Sequence, residues 1–310
     1  MKIFFQYIIA LVMHQSSGTC AEIAALLGTM SRDTLIRFLK QEWNGQKRLE
    51  LIILAINLIG GYLILDDTPI EKPHAQSLEG LQYVYSSTLG KTVRGFCTVT
   101  LLWTDGNLRI PIGIRLWRKD KTKIELAIEL ISYARNQLKL KPLFILFDSW
   151  YSSKKLLKRI INYRWYFISC VRRNRNFDKQ NIKKVAWRRN WKGIGFLTGN
   201  IKVFAIKNGC KYFITNRLSL TRKELLDTYK MRSHIEEFHR ILKQECSLIS
   251  CQVASINAQE HHQWCAIFAF AVLEIERRRL NITIYQLRKN LTKRGSTVEI
   301  PLLKKLLASA

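Results

Sequence analysis

Acidic residues are scarce in this chain of 310 residues, and long uninterrupted apolar runs are missing. Only 23 Asp and Glu stand against 51 Lys and Arg, which gives a formal net charge of +28. Such an excess draws a protein to polyanions, with nucleic acid as the first candidate and an anionic membrane surface as the second. The longest apolar stretch, residues 51–65, is interrupted by Asn57 and a glycine pair, and it falls short of the roughly 20 residues of a spanning helix. We therefore expect a cytoplasmic, nucleoid-associated protein that does not enter the membrane.

Paired cysteines are also lacking. The seven cysteines are odd in number and include no C-x-x-C pair. This usage is typical of reduced thiols in a cytosolic protein and disfavours a disulfide framework or a zinc site. We expect core or surface roles for His234, His239 and the pair His261-His262, not metal ligation.

The period of the hydrophobic pattern predicts an α/β core. A strand at 62–65, a hairpin of 95–103 with 108–118, a helix at 121–138 and an apolar strand at 143–147 follow one another. The first strand should end at Asp66 and Asp67, because Pro69 is rarely tolerated inside a strand. Such an order implies a mixed sheet with helices packed on it.

Changes in composition divide the chain into five segments. We expect a helical region at 1–46, the first part of the core at 47–171, a basic β-rich insertion at 172–220, a core helix at 221–250 and a helical region at 251–310. In the first region, Thr19 and Ser31 are expected N-caps of two helices that Gly28 separates. These helices form either a helix-turn-helix that enters a DNA groove or a plain helical hairpin, and both alternatives stay open.

Three carboxylates stand out by position. Asp67 and Asp148 follow predicted buried strands, and strand ends are where an α/β sheet presents functional groups, although aspartates there also cap turns. The third, Glu236, lies on a predicted helix from about residue 221 to 246. Four residues share one face of that helix, and the apolar residues lie on the opposite face. The four are Tyr229, Arg232, Glu236 and Lys243. An i,i+4 salt bridge accounts for Arg232 with Glu236, but not for the tyrosine and the second cation.

The pattern Tyr229-x2-Arg232-x3-Glu236-x6-Lys243 resembles the Tyr-Arg-Glu-Lys signature of DDE transposases in insertion-sequence family four. Asp67-Thr68 and residues 147–151, Phe-Asp-Ser-Trp-Tyr, resemble motifs of the same family, so the similarity spans about residues 58 to 245. It implies an RNase H-like core with a β-rich insertion before the glutamate. It also implies metal-dependent cleavage and strand transfer of double-stranded DNA, at element ends and target, by a homodimer that bridges two ends.

By this resemblance, Asp67, Asp148 and Glu236 would be the catalytic ligands of two Mg²⁺ or Mn²⁺ ions. Carboxylate oxygens suit hard cations, and two such ions stabilise the attacking and leaving oxygens of a phosphodiester displacement. Arg232 and Lys243 would hold DNA phosphates, and Tyr229 would donate a hydrogen bond to one. The alternatives are a DNA-binding protein of the same fold without catalysis and a related nuclease.

The first carboxylate is ambiguous, because Asp66 and Asp67 are adjacent and point to opposite faces if the strand continues through them. The resemblance favours Asp67, which precedes Thr68. On that assignment, Asp67→Ala abolishes cleavage and Asp66→Ala keeps measurable activity.

The segment 172–192 combines nine Lys or Arg with one acid and three aromatic residues. This composition suits phosphate contacts and base stacking, although such a run is often only a solvated face. The expected DNA-binding residues are Arg172, Arg173, Arg175, Lys183, Lys184, Trp187, Arg188, Arg189 and Trp191. Trp187 or Trp191 could stack on a base that is flipped out of the duplex.

Overall fold

One sheet connects most of the chain. The computed structural model describes residues 2–13, 18–86, 89–185 and 192–293, and in them eleven strands join edge to edge. They are β1 (Tyr62–Glu71), β2 (Gln82–Ser86), β3 (Lys91–Thr104), β4 (Arg109–Leu116), β5 (Phe144–Phe147), β6 (Phe167–Val171), β7 (Asn176–Phe177), β8 (Gln180–Asn181), β9 (Lys192–Leu197), β10 (Ile201–Asn208) and β11 (Lys211–Thr215).

Helices flank this sheet, and several begin at the caps that the sequence predicts. Thr19 and Ser31 cap the second and third helices, and Thr122 and Thr221 form capping boxes with Glu125 and Glu224. The helices in the described segments are α1 (Lys2–Met13), α2 (Cys20–Leu27), α3 (Arg32–Lys40), α4 (Gly45–Ile56), α5 (Lys123–Asn136), α6 (Lys154–Asn162), α7 (Arg222–Lys230), α8 (Ser233–Gln244), α9 (Ile256–Leu280) and α10 (Ile284–Lys293). None of them combines the length and the hydropathy that crossing a bilayer requires.

The strand order places β1 inside the sheet. β1 pairs antiparallel with β3 and parallel with β5, and β5 pairs parallel with β6. The full order is β2-β3-β1-β5-β6-β11-β10-β9-β7-β8, with β4 on β3. All four residues of β5 are buried, as expected of a strand that is covered on both faces. The predicted α/β core, a mixed sheet flanked by helices, is confirmed.

β1 is longer than the sequence predicts, because it continues through Pro69 to Glu71. The Cys97 carbonyl, opposite Pro69, accepts a hydrogen bond from the amide of Trp117 at 2.8 Å, on the far side of β3 from β1. Pro69 and Cys97 therefore form a non-hydrogen-bonded pair, in which the proline nitrogen faces away from β3. No ladder hydrogen bond is lost at this position, so the proline does not end the strand.

The segment 172–220 adds strands β7 to β11 to the core sheet. β11 pairs antiparallel with β6, and β10 and β9 follow outward. Lys183 and Lys184 lie in a 3₁₀ turn at Ile182–Lys184.

The helix that was expected over 221–246 is divided in two. Between α7 and α8, the amides of Met231, Arg232, His234 and Ile235 bond to carbonyls three residues back, at 3.0–3.2 Å. These are 3₁₀ hydrogen bonds, which wind the chain at three residues per turn. Residues three apart eclipse in that geometry, so Tyr229 and Arg232 stay on the same side.

The N-terminal helices pack on α9. The Tyr7 hydroxyl and Nδ1 of His262 share a hydrogen bond of 2.8 Å, and His261 contacts the Leu39 carbonyl. Both histidines are buried, and burial lowers the pKa of each to about 4. They are neutral core residues at neutral pH.

Candidate active site

Asp66 and Asp148 lie side by side where β5 ends next to β1. Leu65 pairs with Phe147 in the parallel ladder; Asp66 follows Leu65 within β1, which continues to Glu71, and Asp148 directly follows the last residue of β5. The charge of Asp148 acts on the Asp66 carboxyl. Parallel register thus brings together two carboxylates that are 82 positions apart in the sequence.

The position of Asp148 is fixed by its own loop and by two neighbouring elements. Its Oδ1 accepts hydrogen bonds from the amides of Trp150 (2.9 Å) and Tyr151 (3.3 Å). The Ser169 hydroxyl of β6 donates to the Asp148 carbonyl at 3.1 Å. The Tyr229 hydroxyl of α7 donates to the Phe147 carbonyl at 3.3 Å. Tyr229 therefore holds the end of the strand that carries Asp148.

Arg232 connects Asp66 to the third carboxylate. Its Nη2 lies 2.6 Å from Asp66 Oδ2, and its Nη1 lies 2.5 Å from Glu236 Oε1. The side chains of Asp66 and Arg232 are 16% and 17% exposed, whereas that of Glu236 is 58% exposed. The guanidinium therefore supplies positive charge between a half-buried aspartate and a solvent-facing glutamate.

Asp66 is hard to ionise in this setting. Burial, opposed by Arg232 and reinforced by the charges of Asp148 and Asp67, raises the pKa of Asp66 to about 7. Desolvation thus raises the pKa of Asp66 by more than its one arginine partner lowers it. The site would be stabilised by additional positive charge close to Asp66.

Asp67 faces a different set of groups. Its Oδ1 accepts from the Tyr151 hydroxyl at 2.8 Å, and its Oδ2 accepts from Lys123 Nζ at 2.7 Å and Cys97 Sγ at 3.0 Å. Burial alone would raise the pKa of Asp67, but Lys123 and these hydrogen bonds lower it below its ordinary value. The sequence-based assignment grouped Asp67 with Asp148 and Glu236, but the arginine that pairs with Glu236 also pairs with Asp66 and not with Asp67, because successive side chains of β1 alternate in direction.

The oxygen ligands at this end of the sheet suit a divalent cation. Within the described residues, no three acidic, histidine or cysteine side chains already form a metal cluster, and Arg232 lies between Asp66 and Glu236. Asp66 and Asp148 nevertheless offer hard carboxylate ligands. The raised pKa of Asp66 is the mark of a carboxylate whose charge is incompletely balanced, so the residues fit such an ion.

The remaining signature residue, Lys243, lies further along α8. It is half-buried and lines a groove together with Glu71 and Lys72. Burial, opposed by the charge of Glu71, lowers the pKa of Lys243. Lys72 donates hydrogen bonds of 2.6 Å to the carbonyls of Ile249 and Cys251, which fixes the wall of this groove.

The basic segment begins at the end of β6, close to the Asp148 loop. Arg172 and Arg173 are exposed, Arg175 is half-buried, and Lys183 and Lys184 are exposed. The other expected DNA-binding residues of this segment lie outside the described residues, namely Trp187, Arg188, Arg189 and Trp191.

Lys123, Cys97 and Tyr151 are site residues that the sequence analysis missed as partners of Asp67. Lys123 lies 5.4 Å from the ring centroid of Trp117 and 5.3 Å from that of Trp150, in addition to its ion pair. Tyr151 belongs to the Phe-Asp-Ser-Trp-Tyr motif, which was a usable signal. Lys123 and Cys97 carry no comparable sequence signal.

Asp66 inside β1 and Asp148 just after the neighbouring parallel strand β5 lie next to Arg232, from the turn between α7 and α8, and this arginine pairs with Glu236 of α8. Such a cluster of carboxylates on an α/β sheet is of the kind that phosphoryl transfer requires. The family model described as "Transposase DDE domain" matches residues 61–272. The chain belongs to this family of transposases, enzymes that cleave DNA and transfer its strands.

The piggyBac transposase structure has a similar fold. The piggyBac transposase in a synaptic complex with hairpin DNA is 13% identical, with a TM-score of 0.60 over 99% of this chain and 74% of that chain. This likeness shows that the core is of the RNase H-like type. The Mos1 transposase in a paired-end complex is 14% identical over 53% of this chain and 57% of that chain, with a TM-score of 0.22. Among curated proteins, no sequence matches the chain significantly.

Proposed function

We propose that Asp66, Asp148 and Glu236 are the metal-binding carboxylates of a transposase of the insertion-sequence family four type. The observation that carries this assignment is the adjacency of Asp66, within β1, and Asp148, directly after β5, with Arg232 between Asp66 and Glu236. The exact Tyr-Arg-Glu-Lys spacing supports the family placement.

Two divalent ions, Mg²⁺ or Mn²⁺, would supply Lewis-acid stabilisation of the attacking and leaving oxygens when bound. Asp66 and Asp148 would hold them, and Glu236, which is exposed, would turn inward once its Arg232 partner engages DNA. Arg232 presents a planar guanidinium that suits phosphate oxygens, so release from the carboxylates would leave it free to bind a phosphate. Lys243 would neutralise a second phosphate along α8.

Asp67 takes a positioning role in this proposal. It joins β1 to Lys123 at the start of α5 and to Tyr151 in the loop that follows Asp148. It would thereby fix the separation between Asp66 in β1 and Asp148 after β5.

The DNA partners would be the two element ends and the target duplex. The net charge of +28 supports a polyanionic partner. The piggyBac transposase, a protein of similar fold, contacts hairpin DNA in its synaptic complex. We extend this to a homodimer that bridges two ends, and we retain Trp187 and Trp191 as candidates for base stacking.

The test is a cleavage assay with purified protein, the DNA that flanks its own gene, and Mg²⁺. Asp66→Asn, Asp148→Asn and Glu236→Gln should each lower the cleavage rate by at least about a hundredfold, in line with the loss of a metal-site charge. Asp67→Asn should lower it less while reducing stability. The reverse order for Asp66 and Asp67 would restore the sequence-based assignment, and no cutting by the wild-type protein would favour a DNA-binding protein without catalysis.

A further inference from the structure

A cavity of about 420 Å³ lies between the loop after β5 and the loop after β6. Its walls include Ser149, which directly follows Asp148, as well as Thr198 from the turn between β9 and β10. None of the described lining residues is acidic, and two of them, Arg172 and Arg175, are cationic. The cavity is therefore a positively charged compartment next to the carboxylate site.

Two side chains in this cavity have buried polar atoms without a partner. Among the described residues, nothing accepts a hydrogen bond from Nε or Nη2 of Arg175, and the Oγ of Ser152 is also unpaired. Ser152 is only 6% exposed. Buried polar atoms in native proteins are normally paired, so exceptions mark places where a ligand or a water completes the bonding.

The geometry of the Arg175 atoms indicates which ligand would fit. Nε and Nη2 lie along one edge of the guanidinium, and this edge donates two parallel hydrogen bonds to a pair of oxygens. Phosphate and carboxylate groups present such pairs. Burial lowers the pKa of Arg175, which shows that its charge is poorly compensated by the surrounding protein.

The N-terminus of α6 adds to the preference for an anion. Ser153 caps this nine-residue helix, and its hydroxyl accepts a hydrogen bond from the Leu156 amide at 3.2 Å. Both Ser152 and Ser153 line the cavity. The dipole and the free amides of a first helical turn attract negative charge.

We propose that this cavity binds a backbone phosphate of the DNA strand, adjacent to the phosphate that is processed at Asp66 and Asp148. Arg175 donates two hydrogen bonds to its oxygens and Ser152 donates a third. The proposal rests on the proposed function, because DNA is the source of the phosphate. It assigns Arg175 and Ser152 a defined phosphate site, beyond a general contribution to a basic surface.

The experiment measures the affinity for a labelled DNA duplex at several NaCl concentrations, without divalent ions. Arg175→Met should weaken binding for every duplex sequence and reduce the slope of log K against log salt by about 1, as expected for one lost phosphate contact. Arg175→Lys should restore the slope. Ser152→Ala should lower affinity severalfold without changing the slope, because it removes a neutral donor.

The matched control is Arg164→Met, which makes the same change in net charge at an exposed position beyond the other end of α6. Melting temperatures identify any variant that fails to fold. An unchanged slope in a folded Arg175→Met variant, or an equal loss in Arg164→Met, would overturn the phosphate site. Cleavage with Mg²⁺ is measured in parallel, and a wild-type protein that binds DNA without cutting it would refute the proposed function. In that case the salt slopes of the variants would still show whether the cavity binds a phosphate.

Discussion

The carboxylate of Asp67 accepts hydrogen bonds from three side chains, whereas that of Asp66, one residue earlier, faces Arg232 and lies beside Asp148. The two neighbours have opposite electrostatic states. Asp67 has a lowered pKa in a satisfied ion pair, and Asp66 has a raised pKa because its one arginine partner does not offset burial and the neighbouring carboxylates. A residue of the first kind stabilises a fold, and one of the second kind suits metal binding.

Divalent ions should stabilise the folded protein through Asp66. A ligand that binds only the folded state raises the melting temperature by mass action. We expect millimolar Mg²⁺ or Mn²⁺ at pH 8 to raise the melting temperature of the wild type by a few degrees, and Asp66→Asn to remove most of this shift. Asp120→Asn, at an exposed position, is the control and should keep it. An equal shift in all three proteins would mean that the ions bind elsewhere.

Stability without metal should depend on the ionisation of Asp66. Its pKa is about 7 in the folded state, against an ordinary value of 3.8 for an aspartate in the unfolded chain, so the folded protein holds more protons between these values. This contribution to stability is present below about pH 4 and is lost as the pH rises through 7. In metal-free urea unfolding, Asp66→Asn should therefore be more stable than the wild type at pH 8, with a smaller difference at pH 5. A constant difference across this range would contradict the raised pKa.

Lys123→Met should leave the largely buried Asp67 without its oppositely charged partner. Removing one partner of a buried ion pair costs about 3–5 kcal/mol, and we expect about 3 kcal/mol because each side chain keeps 20% of its surface exposed. The double variant Lys123→Met with Asp67→Asn should recover part of this loss in chemical denaturation. If the double variant were as unstable as the sum of the single ones, the ion pair would not be the cause.

At the scale of elements, α7 and α8 together position Tyr229 and Arg232, and a short 3₁₀ turn joins the two helices. α7 places Tyr229 against the end of β5, and α8 begins at Ser233, directly after Arg232. The 3₁₀ turn between them keeps Tyr229 and Arg232 eclipsed, so Tyr229 reaches the end of β5 while Arg232 reaches Asp66 in the neighbouring strand β1. The start of α7 depends on the Thr221 capping box.

Thr221→Ala should destabilise the protein by about 1 kcal/mol, because the hydroxyl pairs with the Glu224 amide and carboxylate at the start of α7. Denaturant midpoints measure the change. Ser219→Ala, which removes an exposed hydroxyl two residues earlier, is the matched control and should change stability little. Equal effects of the two substitutions would exclude the cap as the origin.

For the whole molecule, the dominant property is the charge of +28. Like charges repel in the folded state, and salt screens that repulsion over a Debye length of about 10 Å at 0.1 M. We expect the melting temperature of the DNA-free protein to rise between 50 and about 300 mM salt, equally for NaCl and KCl. A fall over this range would show that attractive ion pairs outweigh the net repulsion.

Local information in the sequence was sufficient for several features. The alternation of apolar periods predicted the α/β core, and short-range hydrogen bonding predicted the caps at Thr19 and Ser31. The spacing along the helix placed Arg232 beside Glu236, which the structure shows as an ion pair. Each of these depends on residues within a few positions of one another, so the sequence carries the geometry directly.

The tertiary structure decided which aspartate joins Asp148. That choice depends on the parallel register of Leu65 with Phe147, which is set by the packing of two strands far apart in the chain. A shift of one residue would exchange the roles of Asp66 and Asp67, since strand side chains alternate. Strand pairing also determined that β1 continues past Pro69, because the proline nitrogen faces away from β3. The register of β1 with β5 and with β3 cannot be predicted from neighbouring residues in the sequence, because it depends on two strands together.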